Sequence, residues 1–131
     1  MQIIFIRALA VAFTVFIIWV IVLADTGKVA SVFGSFHSLR YSDKIGHFLL
    51  FGFLSLIINA ALRFRSFTCL KLRLYTGTVA VSIFVVLEEL SQHYFPNRTL
   101  DIYDLAADAA GICVFSVIAY LINKILKHRS A

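Results

Sequence analysis

Charge is scarce in this chain. Of its 131 residues only 15% are Asp, Glu, Lys or Arg, whereas 61% are hydrophobic and 15% aromatic. A soluble domain of this length has too much surface for its volume to hide so many apolar side chains. The bilayer must act as solvent for most of it. Cysteine is scarce too. Cys69 lies in a basic stretch and Cys113 inside an apolar run. Neither sits in a C-x-x-C pair, and their different expected depths argue against a disulfide between them. Repeats, low-complexity tracts and linkers are absent, so residues 1–131 read as a single domain. Also absent are H-E-x-x-H, Cys/His ligand spacing, a Ser-His-Asp order, a P-loop and a glycine fingerprint. No cofactor and no metal is therefore expected. The net charge of +5 does not indicate nucleic acid, because the basic residues flank apolar runs and form no stripe with interleaved aromatics.

What is present is four apolar segments, at about 8–24, 45–62, 74–94 and 102–122. Each is near the roughly 20 residues that a membrane-spanning helix needs. Backbone polar groups must be paired inside lipid, so the segments should be helical. The expected fold is all-α: an integral membrane bundle of four transmembrane helices, with the bilayer as its first partner. The first segment follows Arg7 and ends on Val22-Leu23-Ala24, as a signal peptide would. Its length, and Trp19 near its far end, favour a retained helix.

The loops set an orientation. Eight of the 12 basic residues fall on one side: Arg7, then Arg63, Arg65, Lys71 and Arg73, then Lys124, Lys127 and Arg129. The other side carries Lys28, Arg40, Lys44 and Arg98 with all seven acids. The positive-inside rule then places both termini in the cytoplasm and the 25–44 and 95–101 loops outside. His37 reads as a loop histidine.

The unusual residues gather at the outward ends of helices 2, 3 and 4. They are Asp43, Lys44 and His47; Glu88, Glu89 and Gln92, followed by Arg98; and Asp101, Asp104 and Asp108. Spacings of three and four put each set along one helical face. The uncharged run of the third segment, Leu74 to Leu87, is 14 residues, or roughly 21 Å, short of a hydrocarbon core of about 30 Å. The run after Asp108 is similarly short, so either the helices are short or Glu88, Glu89 and Asp108 sit within the outer leaflet, where ionisable groups face a bundle interior or a wet cavity. Asp43 and Asp101 fall in first turns, where acids cap a helix and suit its dipole. Glu88 and Glu89 approach a C-terminal end, which disfavours anions, so they need cationic partners among Lys44, His47 and Arg98. Six carboxylates against two fixed cations leave a nominal −4. Protonation or a bound cation must relieve it. Glu89 and His93 are spaced i, i+4, but no metal motif surrounds them. Ser55 and Asn59 are expected to hydrogen-bond across helices.

At these residues the sequence resembles the VanZ-like family of bacterial membrane proteins. The likeness rests on Asp43-Lys44-x-x-His47-Phe48, on Glu89-x-x-Gln92-x-x-x-Pro96-x-Arg98, on Asp101-x-x-Asp104, and on Gly111. The family typically has Asn where this chain has Asp108. The resemblance implies a four-helix protein of the bacterial inner membrane, in a family whose founding member is associated with lowered susceptibility to the glycopeptide teicoplanin. Two functions fit. One is a non-catalytic cell-envelope accessory protein whose outward polar site binds a headgroup, peptide or partner, such as a cell-wall precursor or a cationic ligand. The alternative is a membrane-embedded enzyme acting on a lipid-linked or cell-wall substrate, with Glu89 or Asp104 as base and Lys44, Arg98 or a metal stabilising negative charge. The sequence assigns no oligomeric state.

Overall fold

The structure, a computed structural model, describes residues 2–34 and 41–129. His37 and Arg40 lie outside the described residues. The elements are α1 (Gln2–Asp25), the short α2 (Val29–Phe33), α3 (Ser42–Ala61), a hairpin of β1 (Ser66–Cys69) and β2 (Leu72–Tyr75), α4 (Thr76–Ser91), a 3-10 turn at Gln92–Tyr94, and α5 (Ile102–Arg129). Apart from the small hairpin the fold is all-α. Large apolar side chains such as Ile4, Phe5, Ile18, Ile83, Val117 and Ile125 are exposed along the helices. In water this would be an unsustainable apolar surface; in a bilayer it is the lipid-facing side.

Three described helices are long and apolar enough to cross a membrane: Gln2–Asp25, Ser42–Ala61 and Ile102–Arg129. α4 differs from the expected 74–94 span. It has 16 residues, or roughly 24 Å, below the length of the other three. The residues before it are drawn into β2, which pairs antiparallel with β1 from Ser66↔Tyr75 to Cys69↔Leu72. Leu70 and Lys71 turn the hairpin with φ of 48° and 66°, the left-handed pair that a two-residue hairpin turn requires. No Asn-Gly or similar dipeptide marks that turn, so the basic 63–73 stretch reads as plain loop.

α5 packs most extensively on α3, and two glycines permit the approach. A Cβ on Gly111 would overlap the carbonyl of Phe48, and one on Gly52 would stand 2.9 Å from the carbonyl oxygen of Gly111. Small residues let helix backbones approach where lipid offers no hydrophobic driving force for association. Ile17, Phe51, Leu54, Val81, Val85 and Ile112 form the core between α1, α3, α4 and α5. A polar knot ties α3, α4 and α5 nearer the hairpin. Asn59 Nδ2 donates to Thr78 Oγ1 at 2.9 Å, Thr78 N–H donates to Asn59 Oδ1 at 3.1 Å, and the Ser116 hydroxyl lies 2.8 Å from that of Thr78. Ser55 Oγ reaches Thr78 Oγ1 at 3.4 Å, so both polar residues of the second segment bond across helices as expected. Each such bond contributes about 0.6 kcal/mol in a membrane bundle.

Candidate functional site at the acid-rich end

The start of α3, the end of α4 and the start of α5 meet at one end of the bundle, and they bring nine of the ten expected residues into contact with one another. Lys44 bridges two acids at the start of α5, the capping Asp101 and Asp104 within the helix: its Nζ lies 3.0 Å from Asp101 Oδ2 and 2.8 Å from Asp104 Oδ1. Its partners are therefore at the start of α5, not Glu88 or Glu89. His47 Nδ1 lies 2.9 Å from Asp108 Oδ1. With Asp108 ionised, its carboxylate can only accept, so Nδ1 carries the proton, and in the neutral ring Nε2 then presents a lone pair. Nε2 stands 4.0 Å from Asp104 Oδ2, beyond hydrogen-bonding distance.

Around the end of α4, Gln92 Nε2 donates to both oxygens of Glu88, at 3.2 and 3.1 Å, and to Glu89 Oε2 at 2.8 Å. Arg98 Nη2 donates to Glu88 Oε1 at 3.3 Å. Glu89 instead receives the backbone N–H of Asp101 at 2.9 Å on Oε1. Of the two glutamates that the helix dipole leaves in need of a cation, one gets Arg98 and the other is held by amide donors. Asp101 acts as the cap expected of it: Oδ1 accepts the N–H of Tyr103 at 2.8 Å, satisfying one of the free donors at the start of α5. That bond, together with the Lys44 ammonium, holds the Asp101 carboxyl below the usual aspartate range.

The site is dry at its centre. Glu88, Glu89, Gln92, Asp104 and Asp108 are buried, and Asp108 is fully enclosed. Asp43 alone among the ten is exposed and makes no hydrogen bond or ion pair with the described residues. One oxygen of Asp43 nevertheless comes together with one ligand atom each of His47 and Asp104, all within 4.8 Å of one another. Asp108 Oδ2 is buried without a hydrogen-bond partner.

Sequence reasoning missed two residues. Asp25, at the end of α1, lies 3.6 Å from the other face of Arg98, through Oδ1 and Nη1. Asn97 Nδ2 donates to the Asp25 carbonyl at 3.0 Å. Together they fasten α1 to the site. The one available signal was that Asp25 closes an otherwise uncharged apolar run on the acid-rich side. His93, spaced to join Glu89, is exposed and rests against the ring of Tyr94. Cys69 and Cys113 are free and exposed. Two cavities, of about 250 and 520 Å³, lie at the opposite end, lined by Arg7, Arg63 and Arg65 and by the α1–α3 groove. They are remote from the acids, whose chemistry identifies the better candidate site.

The family model described as VanZ/LLP1 matches residues 3–123. The chain belongs to the VanZ/LLP1 family. In this VanZ/LLP1 protein the match spans all of the acid-rich end, from Asp25 to Asp108, and all four long segments. No curated protein and no solved structure matches the chain.

Proposed function

We propose that this VanZ/LLP1 protein is an accessory protein of the bacterial inner membrane. Its acid-rich end faces outward and holds a cationic group of an envelope component, a cell-wall precursor or a lipid headgroup, and so alters susceptibility to glycopeptides such as teicoplanin. The observation that carries the reading is the excess of acid over base in a mostly buried cluster. Asp43, Glu88, Glu89, Asp101, Asp104 and Asp108 converge there, while Lys44 and Arg98 are the two lysine or arginine side chains that form ion pairs among the described residues. Buried negative charge in such excess attracts a positive ligand. The basic residues at the hairpin end and along the last turns of α5 support a cytoplasmic placement of both termini. α4 joins the two ends of the bundle and serves as the fourth crossing, short because its acidic end stays within the outer leaflet.

The test is expression in a susceptible bacterial host. Teicoplanin susceptibility should fall with the native chain and return to the control level with Glu89→Gln, at equal membrane abundance. An unchanged susceptibility with the abundant native chain would overturn the accessory role.

A second reading, a membrane-embedded enzyme on a lipid-linked substrate, draws support from one atom. Asp104 Oδ2 is the oxygen left over by the Lys44 bond and is available as a base, whereas both oxygens of Glu89 accept hydrogen bonds.

A further inference from the structure

We infer that Asp43, His47 and Asp104 form a binding site for one divalent transition-metal ion of the zinc class. The inference rests on the cation-binding reading of the acid-rich end and names the cation. Two bonds orient the donors. Lys44 occupies Asp104 Oδ1, leaving Oδ2 as the free oxygen. Asp108 occupies His47 Nδ1, leaving Nε2 as the free nitrogen. Those two free atoms face each other at 4.0 Å. The gap is too long for a hydrogen bond. It is close to the roughly 3.3 Å at which neighbouring ligands stand around a tetrahedral zinc with bonds near 2.0–2.1 Å.

Asp43 supplies the third side. It lies one helical turn before His47 on the same face of α3, it has no partner of its own among the described residues, and its carboxylate belongs to the same group of ligand atoms, all within 4.8 Å. Being exposed, it can close on an ion without giving up another bond. Three protein ligands leave a fourth position open, on the exposed side of Asp43, for water or for an oxygen of an envelope ligand.

Asp108 is the independent observation. It is fully enclosed, and its Oδ2 lacks a hydrogen-bond partner. A buried carboxylate with an unsatisfied oxygen is costly unless positive charge stands nearby. Behind His47 it makes the carboxylate–imidazole–metal chain that fixes the ring tautomer and raises the basicity of the ligating nitrogen. The donor set selects the metal. Imidazole suits zinc and its first-row neighbours, whereas calcium and magnesium take all-oxygen shells.

The test is calorimetric titration of ZnCl₂ into the full chain in detergent after stripping with a chelator, with MgCl₂ titrated in parallel. One zinc per chain is expected, with magnesium binding far weaker. Asp43→Asn, His47→Gln and Asp104→Asn should each weaken zinc by at least about tenfold, the lower end of the loss seen for an outer-sphere partner alone. Asp43 has no structural bond to lose, so Asp43→Asn should unfold at the native temperature without zinc, which keeps the test decisive if the other two variants fold poorly. Zinc binding that Asp43→Asn leaves unchanged, or magnesium binding as tight as zinc, would overturn the site. A native chain that binds no zinc yet still alters teicoplanin susceptibility through Glu89 overturns the metal site alone. Zinc binding without any effect on susceptibility upholds the metal site and overturns the accessory role.

Discussion

Arg98 and Glu88 form a nearly enclosed ion pair at 3.3 Å, their side chains 14% and 5% exposed. The pair closes the turn between α4 and α5, and on its other side Arg98 reaches Asp25 of α1. Arg98→Ala removes the cation from the buried Glu88 carboxylate and from the half-buried Asp25. Removing one partner of a buried pair costs about 3–5 kcal/mol. The variant should show a lower unfolding midpoint in detergent and reduced abundance in membranes. Normal abundance and an unchanged midpoint would show that Arg98 serves only a ligand.

Asp108→Asn should be tolerated. The amide oxygen still accepts from His47 Nδ1–H, and the substitution removes one charge from an end with a surplus. The unfolding midpoint without added metal should stay level or rise. Damage equal to that of Arg98→Ala would mean that the fully buried carboxylate carries a charge the fold requires.

The two glycines near Phe48 offer a contrast within one helix pair. Gly111→Ala drives a methyl into the Phe48 carbonyl, and backbone cannot step aside as a side chain can. Overpacking of this kind costs about 1–3 kcal/mol, and it should also separate Lys44 from Asp104. Gly46 lies in the same stretch of α3, where an added methyl would meet nothing within 4 Å. Gly46→Ala should stabilise by about 0.4–1 kcal/mol through lower unfolded-state entropy. Thermal unfolding of the two variants side by side checks both signs.

Asp101 gives a pH dependence of known direction. Its folded-state pKa lies below the usual value because it accepts the Tyr103 N–H and faces Lys44. A depressed carboxyl contributes stability that is fully present above the unfolded value of about 3.9 and is lost as pH falls through the lower, folded value. Asn can still cap α5, so Asp101→Asn removes the charge while leaving the cap. The gap in unfolding midpoint between native and variant should be constant from neutral pH down to about 4 and should shrink below it. A gap that widens on acidification would contradict the assigned cause.

Much of this end of the molecule was legible because its residues are expensive. Glu88, Glu89 and Gln92 declared a shared face by spacing alone, and the bonds follow it. The dipole argument named Arg98 as one of three candidate cations for Glu88 and Glu89, and the cost of polar groups in lipid singled out Ser55 and Asn59. What spacing could not give was the choice of partner between helices. Lys44 was free to turn to α4 or α5, and the glycine contact that seats α3 against α5 decided the matter. The triad of Asp43, His47 and Asp104 was hidden for the same reason, since its last member is 57 residues further along the chain and no local motif carries it. The hairpin at 66–75 was hidden because its turn is made by Leu70 and Lys71, which give no turn signal, and taking those residues shortened α4.

The close seat of α5 on α3 also bears on the order of assembly. α3 is made before α5, its principal neighbour. Until α5 arrives, Lys44 and His47 have none of their aspartates, and Gly52 faces lipid instead of Gly111. The hairpin between α3 and α4 can form at once, and α1 can meet α3 through Ala10, Ile57 and Ala61. The polar end therefore comes together only once α5 has been made: a chain halted before Asp101 leaves Lys44 without its two aspartates, while Arg98 can already reach Glu88 and Asp25.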